Sequence, residues 1–197
     1  MVAARRSKRD SIVEAAARLI RTEGVHAASI SEIISESGSS AGTIYHHFAN
    51  KNEIVLAVAR GAVVDPVAEV LAAHPDAGMS PSDLFRAIVG TVITGEVQSA
   101  LIVQLWAGSA DEPLLKDIMR EQTSGLRREM VSRLTVWLAQ HGVPDASARA
   151  EALALLTLGQ AMGLLAQRTL TPDLDQKAYV EEACRMLDAV AADYGRA

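Results

Sequence analysis

Aromatic side chains and cysteine are both scarce in this chain. Two Trp, three Tyr and two Phe account for 4% of its 197 residues, against 49% hydrophobic residues in all. Any core is therefore mainly aliphatic, and alanine and leucine dominate. Runs of β-branched residues bounded by turn residues are also few, which argues against sheet and for helix. The lone cysteine, Cys184, excludes an intrachain disulfide and suits a reducing, cytoplasmic setting. It falls on the apolar face of a predicted helix, a position that favours a buried structural thiol over a redox sensor. The basic opening, Met-Val-Ala-Ala-Arg-Arg-Ser-Lys-Arg-Asp, has no apolar stretch behind it, so no signal peptide is expected. The apolar stretch 153–166 is too short for a bilayer and contains Thr157 and Gln160, so it is read as a buried helix with no membrane partner.

What charge there is divides unevenly. Residues 1–51 carry seven Lys/Arg against five Asp/Glu, a net of +2, while the rest carries twelve against nineteen, a net of −7. A basic head on an acidic body is the pattern of a protein that meets a polyanion at one end.

Helical spacing recurs along the whole chain. Ile12, Ala16, Leu19 and Ile20 predict a helix over 8–22, stopped by Gly24. Ser29-Ile30-Ser31-Glu32 has the form of a capping box, and the short helix after it ends near Gly38. Ser40 caps a further short helix bearing Ala41, Ile44, Tyr45 and Phe48. Asn50 and Glu53 launch a long helix through Ile54, Val58 and Ala62 toward Leu71. A loop at 74–81 breaks the helical body, and helices follow near 82–95, 97–109, 112–141, 146–168 and 174–193. The expected fold class is all-α with about nine helices, divided into regions 1–51 and 52–197.

Two short helices about the tight turn Ser37-Gly38-Ser39 form a helix-turn-helix, compact enough for the second helix to enter a major groove about 12 Å wide. Ile33, Ile34, Ile44 and Phe48 are spaced to pin both onto the first helix. Hydroxyls, imidazoles and a lysine on the exposed side can all bond phosphate oxygens.

Gly24, Ser29 and Gly38, the run Gly42-Thr43-Ile44-Tyr45-His46-His47-Phe48, then Lys51 and Glu53 together resemble the N-terminal signature of the TetR family over about 50 residues. The resemblance implies a one-component, ligand-responsive transcriptional repressor, with a DNA-binding domain at 1–51 and an effector-binding and dimerisation domain at 52–197. It also implies that Thr43, Tyr45, His47 and Lys51 hold phosphates, while Ser31, Ala41, Gly42 and His46 face bases or sugar edges. Two positions depart from the family pattern. Ser39 stands where an aliphatic residue is usual, and Ala41 replaces a long polar or basic side chain. Alanine offers a thymine methyl an apolar contact but no hydrogen bond. Direct readout then leans on Ser31, His46 and the basic arm of Arg5, Arg6, Lys8 and Arg9, unless that arm is only a solubilising tail.

The same residues admit other readings. Tyr45 and Phe48 could both be core, a role that suits Phe48. Adjacent His46 and His47 point about 100° apart on a helix and lack a third ligand, so no metal is expected. Gly38-Ser39-Ser40-Ala41-Gly42 fits the nucleophile-elbow pattern of hydrolases, but that elbow needs a preceding strand, and Ser40 is better explained as a helix cap. No enzymatic activity or cofactor is expected. A purely structural helical adaptor would not need the Thr-Tyr-His-Lys cluster.

The last two helices are expected to build a homodimer. Gly159, Met162 and Gly163 lie on one stripe with Ala152, Leu155 and Ala166, and Val180 and Leu187 lie on another with Cys184 and Ala191. The two glycines serve equally well for close packing inside one subunit. A symmetric dimer implies a near-palindromic double-stranded operator. Gln104, Trp106 and Met119, in an otherwise aliphatic body, are candidates either for an effector chamber or for plain core.

Overall fold

Serine hydroxyls start the first three helices. Ser7 Oγ accepts from the Asp10 amide (3.1 Å), Ser29 Oγ from that of Glu32 (3.2 Å) and Ser40 Oγ from that of Thr43 (3.1 Å). Each bond satisfies a donor that the first helical turn leaves without a backbone partner. Asp10 and Glu32 reach back to the backbone N–H of their caps, completing two capping boxes. The resulting elements are α1 (Lys8–Glu23), α2 (Ile30–Ser37) and α3 (Ala41–His47). Gly38 ends α2 in the left-handed conformation at φ 61°, which a side chain would disfavour.

The computed structural model describes residues 7–72, 78–94 and 99–196, so Arg5, Arg6 and the first half of the 74–81 loop lie outside it. The later elements are α4 (Lys51–Ala59), α5 (Asp65–Ala72), α6 (Pro81–Ile93), α7 (Ser99–Gly108), α8 (Pro113–Gln140), α9 (Ala146–Leu170) and α10 (Gln176–Tyr194). Among the described residues every regular element is a helix, and the all-α expectation holds.

One expectation needs correction: the long helix from 51 to 71 is not regular. A π-helical turn, Arg60–Val64, joins α4 to α5. Pro66 supplies the cause. It has no N–H for the carbonyl of Ala62, and its ring would press on that carbonyl in a regular α-helix; widening the preceding turn relieves both problems.

Backbone proximity divides the chain into two compact units, Met1–Val63 with Ala100–Glu121, and Val64–Ser99 with Gln122–Ala197. The first unit thus reaches past residue 51 and takes in most of α7 and the start of α8. Its core packs Ile12, Ala16 and Ile20 of α1 with Ile33, Ile44, Phe48, Ile54 and Val58, and with Leu101, Leu105, Leu115 and Met119. Each fully buried isoleucine contributes roughly 1.5–3 kcal/mol.

The second unit is built on α6, α9 and α10. Phe85 and Leu84 meet Leu153, Leu158 and Leu164 of α9 and Leu187 of α10 in one cluster. Helix α9 has 25 residues, longer than its apolar stretch suggested and by length and composition enough to cross a membrane; its buried side is nevertheless committed to this core. Cys184 is buried here, its thiol facing the Ser82 carbonyl at 3.8 Å, and burial pushes the thiol up, with Arg86 opposing. Arg133 is an unforeseen member: only 8% exposed, it donates from Nη2 to the Leu71 carbonyl at the end of α5 (2.9 Å) and pairs with Glu129.

Replacing the proline tests the account of the π turn. Pro66→Ala restores the missing donor, so regular α-helix is expected across 51–72, with a higher melting temperature. A π turn persisting in the structure of that variant would assign it to another cause.

Candidate nucleic-acid interface

The recognition helix is short and one-sided. Of its seven residues Ile44 is buried, while Ala41, Gly42, Tyr45 and His46 are exposed and Thr43 and His47 half-buried. Ile44 and the following Phe48 (3% exposed) anchor it in the first unit's core. Phe48 is core, as its spacing indicated. Tyr45 is 58% exposed, a large apolar ring left in water by a helix that buries its neighbour.

The polar groups are held rather than loose. Ser40 Oγ lies 2.9 Å from Thr43 Oγ1 as well as accepting the Thr43 amide. Ser31 is exposed on α2, and its hydroxyl lies 2.9 Å from that of Ser29. The hydrogen bonds from Ser29, side chain first and then backbone, hold the Glu32 carboxyl below the usual range, and the nearby Lys51 charge adds to this. Lys51 donates from Nζ to the His26 carbonyl (3.1 Å), which spends one of its three donors and holds the ammonium in place. The His46 and His47 rings stand edge to face, 5.0 Å apart and 69° to each other.

The two serines of the turn do different things. Ser39, expected to pack less firmly than an aliphatic residue, is 7% exposed, and its buried hydroxyl makes no hydrogen bond. Ser40 is not a nucleophile elbow: the segment before the Gly38 turn is helix α2, not a strand, and the Ser40 hydroxyl caps α3.

The effector candidates lie in this same unit. Met119 is buried in its core, Trp106 packs against that core, and Gln104 Oε1 is 3.4 Å from where a Cβ on Gly24 would stand. Beside Lys51 a hollow of about 90 Å³ is lined by Val25, His26, Val55 and Leu115, with Glu112 also in its wall. Pockets for drug-sized ligands are several times larger, on the order of 300 Å³ upward.

The expected dimer residues separate in the second unit. Val180 (8% exposed) and Leu187 (fully buried) are inside its own core, so their assignment to an interface is corrected: that stripe of α10 packs on α6 and α9. Gly163 is also used internally, since a Cβ there would stand 2.8 Å from the hydroxyl of Tyr179, which donates to the Gln160 carbonyl at 3.0 Å. Around Gly159, by contrast, nothing lies within 4 Å of a would-be Cβ. It shares an outward row with Leu155 (54% exposed) and Met162 (41%), while Met186 (40%) is exposed on α10.

Residues 12–58 match the family model "Bacterial regulatory proteins, tetR family". The HTH-type transcriptional regulator BetI of Escherichia coli O157:H7 is 28% identical over 145 residues, covering 71% of this chain and 74% of BetI. The fold is that of Salmonella enterica GusR, with a TM-score of 0.74 at 20% identity over 94% of this chain and 95% of that one. It is also that of the multidrug binding protein EbrR complexed with imidazole, at a TM-score of 0.64 and 23% identity over 94% and 96%. With the matched segment spanning α1 to α4 and the capped helix pair at its centre, the chain belongs to the TetR family of transcriptional regulators.

Proposed function

We propose that this protein is a dimeric cytoplasmic repressor that grips a near-palindromic operator with α3 and leaves it when a small apolar effector binds. The observation that carries the reading is the one-sided recognition helix, with Tyr45 exposed on a helix that Ile44 and Phe48 anchor from behind. Thr43, Tyr45, His47 and Lys51 are assigned to phosphates; Ser31, Ala41, Gly42 and His46 face bases, and Ser40 holds the helix start. Lys51 suits its role because its ammonium, tethered to the His26 carbonyl, keeps two donors for a phosphate.

The dimer interface is assigned to the outward row Leu155, Gly159 and Met162 of α9, with Met186 of α10. These apolar groups otherwise face water on the second unit. The effector is assigned to Gln104, Trp106 and Met119. That region touches the helix-turn-helix directly, because Gly108 lies so near Val25 in the α1–α2 loop that a Cβ on it would stand 2.8 Å from Val25 Cγ2. EbrR, a regulator-like fold holding imidazole, supports a small-molecule effector in general, and the aliphatic surroundings here favour an apolar one.

Selecting binding sequences from random DNA tests the central claim. Enrichment of a near-palindrome with half-sites roughly 34–36 Å apart or somewhat more is expected; no enrichment removes the operator. On the selected site, Lys51→Ala and Tyr45→Ala should weaken binding across all sequences, and Lys51→Ala should lower the slope of log affinity against log salt by about one unit. An unchanged slope takes Lys51 out of the interface.

For the dimer, Gly159→Leu should shift sedimentation toward monomer without altering the melting of the subunit, since its Cβ meets open space. Gly163→Ala should do the reverse, lowering stability by displacing Tyr179. If Gly159→Leu leaves the dimer intact, another face holds it.

For the effector, a compound that releases the operator should change Trp106 fluorescence in a Trp137→Phe background. Release with no change in emission, and with induction intact in Trp106→Ala, places the ligand elsewhere.

A further inference from the structure

Arg9 stands in the first turn of α1 and is not part of an extended arm. Its guanidinium carbon lies 5.1 Å from the centroid of the Phe48 ring, the residue at which α3 ends. A guanidinium held over a ring by cation–π attraction spends no hydrogen-bond donor on that contact, so its N–H groups stay available. Other arginines of the chain spend those groups on carboxylates: Arg18 on Glu36, Arg133 on Glu129, Arg185 on Glu182 and Arg196 on Asp193. Arg9 makes no ion pair with any described residue. The neighbouring Asp10 carboxylate accepts the Ser7 amide (3.2 Å) as part of the α1 cap.

We infer that Arg9 is a phosphate contact, held by Phe48 at the C-terminal end of the recognition helix so that its fork meets a backbone phosphate of duplex DNA. Three observations converge on this. The residue is exposed, it lies over a buried ring that also anchors α3, and no carboxylate among the described residues pairs with it. A planar fork binds a phosphate through two parallel N–H bonds, a match that a flexible ammonium does not make. Phe48 thus has two roles: it fills the core and it positions a cation. The inference rests on the DNA-binding reading and adds to it a contact made from α1, outside the helix-turn-helix.

The test measures affinity for a short random-sequence duplex against salt, together with thermal melting, for wild type, Arg9→Ala and Arg9→Lys. Arg9→Ala should lower the log–log salt slope by about one unit, equally on every duplex tried. Arg9→Lys keeps the charge but loses the guanidinium over the Phe48 ring, so its slope should stay near that of wild type while its melting temperature falls with that of Arg9→Ala. A purely structural Arg9 would lower both melting temperatures and leave both slopes alone; that result overturns the inference and leaves the DNA-binding reading standing. A wild type that binds no duplex at low salt sinks both.

Discussion

Helices of eight and seven residues do not hold themselves together in water, because nucleation costs more than so few backbone bonds return. Everything the recognition helix does depends on how that shortfall is met. The serine caps satisfy first-turn amides of α2 and α3, and Ile33, Ile44 and Phe48 bury the inner faces against Ile12, Ala16 and Ile20 of α1. With its inner face spent on packing and its start spent on a cap, α3 has one surface left to offer. That surface carries Tyr45, His46 and the small residues Ala41 and Gly42.

The same dependence extends to α7 and the start of α8. Leu101, Leu105, Leu115 and Met119 complete the core on which the helix-turn-helix rests, and Gly108 is small because Val25 occupies the space beside it. A ligand that moved α7 would press on the α1–α2 loop with no intermediate element, since close-packed interiors transmit displacement.

Much of the candidate interface was legible because it is local. Caps, the Gly38 turn and the Thr43-to-Phe48 run depend on residues within a few positions of one another, and the observed caps are those the spacing indicated. The docking of Arg9 was not legible, since nothing in a basic opening tells which cation will find a ring 39 positions away. Nor was the tether of Lys51 to the His26 carbonyl, because backbone acceptors leave no mark on composition. Ser39 was readable only as a departure; its burial with an unbonded hydroxyl depends on what packs around it.

Helix spans, capping residues and the all-α class were determined by the sequence itself, because a 3.6-residue period and a serine hydroxyl act within one or two turns. Pro66 was equally local, a signal present in the chain that the hydrophobic pattern overrode. Which side of a helix turns inward is another matter. On α10 Leu187 is fully buried and its neighbour Met186 is 40% exposed, a difference of one residue and about 100° of rotation. On α9 Gly163 makes room for Tyr179 while Gly159 faces open space. Two apolar stripes on two helices satisfy the periodicity equally well, and only packing against α6 chose which stripe became core and which stayed exposed.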